Sequence, residues 1–358
     1  MQKNILIISI LLFLTACVKD KPENKNGDND LLDIHSRVLI VNEGSLGLGN
    51  ASLSIFDKND YKMHNQVFQR TNDLPMGDIF QSAYQIEDEI FLLINNSHEI
   101  LVINAKDYKF KKRIPVRSPR NMLQINADLA YVTSLFHDQI YILNIDSKQV
   151  IDSIQVPYKN TENLLKFNDN VYVCNWNKES EFIYKINTQT NQIEENIPLG
   201  VKASHGIIQD KNENLWIFSG QPSDNIPSAI TIYNPFTKTI ENQKIFPGVS
   251  ERMKPITTPN RDTIYFLSVN YEGNTQFNGV FYSLVNSEEI KEELFLAAEP
   301  YQYFWGLAYD NKENHIYIAD PRGFIQQGRI SIYNTNKELI HESSVGIGPG
   351  NFLFLEEN

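Results

Sequence analysis

Residues 120–156 read RNMLQINADLAYVTSLFHDQIYILNIDSKQVIDSIQV. The stretch divides into four apolar-rich runs, at 121–125, 129–134, 140–146 and 150–156. Phe136-His137-Asp138 separates the second run from the third, and Ser147-Lys148-Gln149 makes a turn before the fourth. Each run is short, rich in Ile, Val, Leu and Tyr, and the third alternates apolar with polar. Short β-branched and aromatic runs between turn residues read as four successive strands.

The same unit recurs along the chain. Its second run, the most apolar, appears as VLIV at 38, IFLL at 90, AYVT at 130, VYVC at 171, LWIF at 215, IYFL at 264 and IYIA at 316. The steps between these positions are 52, 40, 41, 44, 49 and 52 residues. The third run follows in step as SLSIFD, EILVINA, QIYILNID, FIYKIN, AITIYNP, GVFYSLV and RISIYNT. Seven four-stranded copies at this period predict an all-β fold, a seven-bladed β-propeller. A pair of β-sandwiches would not repeat one strand order seven times. The first copy begins at its second strand, while an extra run follows the seventh copy at the other end of the chain. Residues 351–355 are therefore predicted to supply the innermost strand of the first blade, which removes an open sheet edge.

The chain opens MQKNILIISILLFLTACVKDK. Lys3 precedes an apolar run at 5–14, which suits a signal peptide and is too short to span a bilayer. Leu14-Thr15-Ala16-Cys17 resembles the lipobox of bacterial lipoproteins. That resemblance implies cleavage before Cys17 and lipidation there, and more than one acyl chain makes a stable membrane anchor. The competing reading is an ordinary secretory signal with a chance Cys. Residues 18–30, VKDKPENKNGDND, are too polar to bury a core and read as a flexible tether. The expected organisation is a signal peptide at 1–16, a lipidated Cys and tether at 17–36, and the propeller at 37–358. Lys19, Asp20, Lys21 and Glu23 partly resemble the surface-export signals of some Gram-negative lipoproteins. The expectation is a cell outer membrane location, with the propeller displayed at the surface.

Composition narrows the chemistry. The 358 residues carry 32 Lys and Arg against 44 Asp and Glu, a formal charge of −12 with no basic block. That excess argues against a nucleic-acid partner. The two cysteines are Cys17 and Cys174. With Cys17 lipidated, Cys174 has no partner, and its apolar run predicts a buried, inert thiol.

The repeat carries a family resemblance. Tyr131-Val132-Thr133-Ser134, with the third-run endings Ile145-Asp146 and Phe56-Asp57, resembles the YVTN, or YncE-like, propeller repeat. The opening VNEGSLGLGNASLSIFD is similar to the first blade of surface lipoproteins in that superfamily. Such proteins are often encoded beside TonB-dependent outer-membrane transporters. The best-known members capture cobalamin and pass it to the transporter. The resemblance implies a small-molecule ligand, cobalamin-like or another metal chelate, and a transporter partner. It assigns no individual contact residue.

Loops joining second to third strands share one propeller face with the inter-blade loops, and ligands bind over the channel there. The first set offers Asn42, Glu43, Asn96, His98, Phe136, His137, Asn175, Trp176, Tyr271 and Arg322 as ligand-binding candidates. The second set offers Arg120, His205, Tyr301, Tyr303 and Trp305. Aromatic faces with amides and a few arginines suit a large, flat, partly polar ligand. Blade-to-blade packing is the competing role for each aromatic, Phe304 and Trp305 above all. Trp176, flanked by Asn on both sides, is expected to be exposed. Long loops at 219–227, 270–278 and 320–327, on three adjacent blades, are expected to form a wall.

Catalytic signals are weak. Seven histidines stand far apart, and neither HExxH nor G-x-S-x-G occurs. His98, His137 and His205 share the predicted face, as a three-His metal site or an axial ligand to a bound cobalt or haem centre. Isolated loop histidines are favoured, since blades two, three and five are not all neighbours. Ser204-His205 has no evident acid partner. The expectation is no catalytic residue, no protein-held metal and no resident cofactor. The function expected is non-enzymatic capture of a small molecule. The alternatives are a cell-surface protein–protein scaffold and a propeller enzyme, a lyase or hydrolase.

Overall fold

The computed structural model describes residues 36–270 and 278–355. The predicted signal peptide, Cys17, the tether and Tyr271 lie outside these residues. The described chain forms seven four-stranded antiparallel sheets. The second strands are β1 (Arg37–Asn42), β5 (Glu89–Ile94), β9 (Leu129–Ser134), β13 (Asn170–Asn175), β17 (Leu215–Gln221), β21 (Thr263–Val269) and β25 (His315–Asp320). Each contains the apolar tetrapeptide that set the sequence period.

Closure follows the prediction. The last strand, β28 (Pro349–Phe354), pairs antiparallel with β1, setting Leu39 opposite Leu353 and Ile40 opposite Phe352. The first sheet therefore runs β28-β1-β2-β3, where β2 is Ser52–Asp57 and β3 is Lys62–His64. Its outer strand is only three residues long. A short helix, α1 (Val67–Asn72), follows it and buries Val67 and Phe68.

The core lies between blades. Seven buried apolar clusters fill the seven blade-to-blade interfaces. Successive side chains of a strand point to opposite faces. Leu39 and Val41 thus pack toward the second blade, while Val38 and Ile40 pack toward the seventh. Both faces of every blade are covered, so the second strands read as continuous apolar runs. Cys174 is fully buried on such a strand, and burial pushes its thiol far up from the usual range.

Polar residues set the turns. The Asp or Asn near the end of third strands accepts a backbone N–H two or three residues on, at Asp57, Asn104, Asn144, Asn187, Asn234 and Asn334. These side chains initiate the turn into the outer strand. The ring is bolted where it closes by Lys58, whose ammonium lies 2.6 Å from Asp310 and 3.1 Å from Glu313 of the seventh blade.

Candidate ligand-binding site

One device aims polar side chains at the channel. The innermost strands include β4 (Phe80–Ile86), β8 (Pro119–Gln124), β12 (Thr161–Phe167), β16 (Ser204–Gln209) and β20 (Glu251–Thr257). Each breaks register with its neighbour by one extra residue: near Gln81 in β4, at Arg120 and Asn121 in β8, at Glu162 and Asn163 in β12, at His205 in β16, and at Lys254 and Pro255 in β20. A β-bulge leaves its extra residue unpaired and re-aims its side chain. All of these bulge residues line one cavity of about 730 Å³ at the channel mouth.

Backbone geometry repeats with the bulges. Ile79, Ser118, Asn160 and Ala203 each take a left-handed conformation two residues before the channel residue. Their carbonyls accept the N–H of Asn95, Leu135, Trp176 and Gly220, at the end of the second strand of the same blade or just past it. Thr161 and Ser204 accept the backbone N–H of Ser134 and Asn175 from the preceding blade, each at 2.9 Å. The floor of the cavity is thus held by repeated hydrogen bonds within and between blades.

The floor is charged and mostly self-paired. Arg120 donates to Glu162 at 2.8 Å and also to Gln81. Trp305 donates its indole N–H to the Glu43 carboxylate at 2.8 Å, and Lys254 donates to Asn351 at 3.1 Å. Burial pushes Glu43 up, against the opposing pull of the Lys254 charge and the Trp305 hydrogen bond. Burial pushes Lys254 down, against the Glu43 charge, so burial moves both groups toward neutrality. Burial likewise raises Glu162, opposed by Arg120. Gly350 is the extra residue of β28, and a Cβ there would stand 2.3 Å from the Glu43 carboxylate. A side chain at this position would force that carboxylate to shift.

Glu251 and His205 form a different pair. His205 Nε2 lies 3.4 Å from Glu251 Oε1 without hydrogen-bond alignment. Burial, with the Glu162 charge, pushes Glu251 up to about 7. Burial, with the Lys254 charge, pushes His205 down to about 4. Between those values both groups are neutral, so the contact is not an ion pair there.

The rim is apolar. Leu46, Phe136 and Ile325 are 75%, 62% and 85% exposed, and Phe324 packs edge-on against Trp305. Large apolar side chains this exposed around a polar floor make this mouth the candidate for ligand binding. Asn96 reaches the rim through the Asp78 carboxylate, which also accepts the N–H of Gly47 in the first blade's loop.

Seven of the sequence candidates meet here: Glu43, Asn96, Arg120, Phe136, Trp176, His205 and Trp305. Tyr301, Tyr303 and Arg322 line a separate polar cavity of about 440 Å³ beside the seventh blade, with Asp320 and Arg329. Four candidates reach neither cavity. Asn42 is fully buried and spends its amide on Ser52 and Ser54. Asn175 donates to Tyr158 and accepts from Asn177, fixing its own loop. His98 accepts from the backbone and hydroxyl of Ser118, and His137 stays outside the cavity lining. His98 and His137 thus stand apart from His205, and no group of three or more metal-ligating side chains forms among the described residues.

Other expectations are corrected. Trp176 is half-buried rather than exposed, because its indole turns into the cavity. Phe304 takes the packing role that the sequence offered for it, in the core between blades six and seven. The 219–227 loop does not reach the cavity, because β17 and β18 (Ile226–Asn234) extend through most of it as a hairpin. Among the described residues the wall comes from the predicted 320–327 loop of the seventh blade and from the first blade's loop, while residues 271–277 of the remaining predicted loop lie outside the described residues. Sequence reasoning also found no clustered acid–base groups, yet Glu162, Glu251 and Lys254 join Glu43, Arg120 and His205 around one space. Their shared signal was position, at or near the start of an inner strand, and residue type gave no hint of it.

Solved structures of similar shape share the fold. The periplasmic gluconolactonase of Pseudomonas aeruginosa matches with a TM-score of 0.67 at 9% identity, covering 90% of this chain and 99% of that one. A quinonprotein alcohol dehydrogenase-like protein of Bacteroides thetaiotaomicron matches with a TM-score of 0.66 at 13% identity, covering 90% and 78%. Hydrazine synthase of Kuenenia stuttgartiensis matches with a TM-score of 0.62 at 16% identity, covering 74% and 85%. At such identities the likeness establishes architecture, not activity. Among curated proteins, none matches the chain. Residues 37–347 match the family described as Domain of unknown function (DUF5074), and by that match the chain belongs to this family.

Proposed function

We propose that this propeller is a non-enzymatic capture protein that holds a small molecule at its channel mouth. One observation carries the reading: bulges on successive inner strands place a paired polar floor beneath an apolar, aromatic rim, around about 730 Å³. Ligand pockets of this size enclose most of a drug-sized molecule. Fixed pairs such as Arg120–Glu162 and Trp305–Glu43 suit rigid recognition more than proton traffic. The YncE-like resemblance supports a cobalamin-like or other metal-chelate ligand and hand-over to a TonB-dependent transporter. The lipobox-like Cys17 and polar tether support attachment to the outer membrane, with the domain facing outward.

The test is the melting transition of the purified protein with cyanocobalamin, haem or a ferric siderophore. A ligand at a hundred times its Kd stabilises by about 2.7 kcal/mol, an easily read rise in Tm. No rise with any of the three at millimolar concentration refutes the chelate reading. Incorporation of labelled fatty acid by the wild type, lost in Cys17→Ala, tests the anchor.

One observation favours a second reading. The unaligned Glu251–His205 pair, with Glu251 titrating near neutrality, suits general acid–base chemistry. The resemblance to a gluconolactonase points to lactones as the first substrates to assay. Turnover by the wild type and its loss in Glu251→Gln would move the assignment to a hydrolase.

A further inference from the structure

The cavity floor is satisfied on one side and unfinished on the other. Arg120, Glu162, Gln81, Glu43, Trp305 and Lys254 each have a protein partner. Toward the fourth, fifth and sixth blades the pattern changes. The Trp176 indole nitrogen is buried without a hydrogen-bond partner, and so is His205 Nε2. The Glu251 side chain, 11% exposed, has the misaligned His205 contact and no hydrogen bond among the described residues. The three residues line one cavity, and the blades carrying Trp176 and His205 are joined beside them, where Asn175 donates its backbone N–H to the hydroxyl of Ser204. The other two indoles of the protein are both engaged, Trp216 with Asp210 and Trp305 with Glu43. A buried polar group left unpaired is costly, so two of them beside the Glu251 carboxyl in one corner of a cavity call for a ligand group that pairs them.

Their chemistry restricts that group. An indole N–H only donates, so Trp176 requires an acceptor. His205 in the tautomer protonated at Nδ1 offers an acceptor at Nε2, and a Glu251 carboxyl oxygen offers another. A cation would leave the Trp176 donor unpaired and would meet the Lys254 charge, which already acts on His205. An anion would meet three carboxyl groups, Glu43, Glu162 and Glu251, while the floor's cations, Arg120 and Lys254, are already engaged with Glu162, Gln81 and Asn351. Building on the capture reading above, we propose that this corner recognises a primary carboxamide of the bound molecule. Its carbonyl oxygen accepts from Trp176 Nε1, and its two N–H groups donate to His205 Nε2 and Glu251.

The test uses three probes of one shape: benzamide, benzoate and benzylamine. The purified, ¹⁵N-labelled protein has three indole N–H signals, because it has three tryptophans. The Trp176 signal is identified by its loss in Trp176→Phe, or by through-bond assignment if that variant does not fold. Benzamide is expected to shift the Trp176 signal downfield and saturably, leave that of Trp216 in place, and bind about fivefold more weakly to Glu251→Ala. Benzoate and benzylamine are expected to leave the Trp176 signal unmoved at the same concentrations. A shift with either ion, or none with benzamide, overturns the carboxamide assignment. The readout needs no chelate ligand. The corner can therefore pass while the melting test of capture fails, or the reverse.

Discussion

Replacing Glu251 by Gln should stabilise the protein, and by more as the pH rises. In an unfolded chain Glu251 ionises near its ordinary 4.5, whereas in the folded ring burial and the Glu162 charge hold it up to about 7. Between those values the folded state keeps a proton that the unfolded chain has lost. Folding stability therefore falls as pH rises from 4.5, and the whole deficit is present above 7. Each pKa unit is worth about 1.4 kcal/mol, so the deficit approaches about 3 kcal/mol. Gln keeps the shape and cannot ionise. The stability of Glu251→Gln relative to wild type should thus grow from near zero at pH 4.5 to about 3 kcal/mol at pH 8, read as a Tm difference of roughly 3–6 °C. Titration of His205, held down to about 4, lowers the stability of both proteins as pH falls below 6.5, so it largely cancels in the difference. The assay is calorimetry of both proteins from pH 4.5 to 8.5. A difference that stays flat within about 0.5 kcal/mol over that range would refute the buried, partnerless placement of Glu251.

Three further outcomes follow from the geometry. Lys58→Ala leaves Asp310 buried beside Glu313 without its ammonium, and should cost about 3 kcal/mol in denaturant unfolding; a loss below about 1 kcal/mol would mean the closure does not depend on that bridge. Gly350→Ala should push the Glu43 carboxylate off Trp305, visible as a shift of the Trp305 indole N–H signal; an unmoved signal contradicts the close approach. Truncation after Ser344 removes β28, exposing the edge of β1 and stripping Phe352, Leu353, Phe354 and Leu355 from two interface clusters; a cooperative melting transition at the wild-type temperature would disprove closure through this strand.

The fold was legible because a propeller writes itself seven times. VLIV, IFLL and their successors are apolar on both faces, since every blade is sandwiched between two others. The end-of-strand Asn and Asp residues mark turns that recur with each copy. The site was legible only in part. Glu43, Phe136, Trp176 and Trp305 drew attention because they sit in or beside loops that the repeat assigns to one face. Asn42 and Asn175 have the same residue type as Asn96, which lines the cavity, and the sequence does not separate them. A side chain one position earlier or later along a strand end points into a blade and spends itself on backbone groups.

What the sequence determined by itself was periodicity: seven blades, their strand order, and a chain end that completes the first blade. Those follow from alternation and turn chemistry, which act over a few residues. The tertiary structure decided which polar groups meet. Arg120, Glu162, His205 and Lys254 are about forty to fifty residues apart in sequence, yet they share one cavity because one bulge per inner strand turns each toward the axis. The sequence carries no local mark for a bulge of this kind. Only the closing of the ring sets the bulges face to face, and with them the paired floor and the unfinished corner at Trp176, His205 and Glu251.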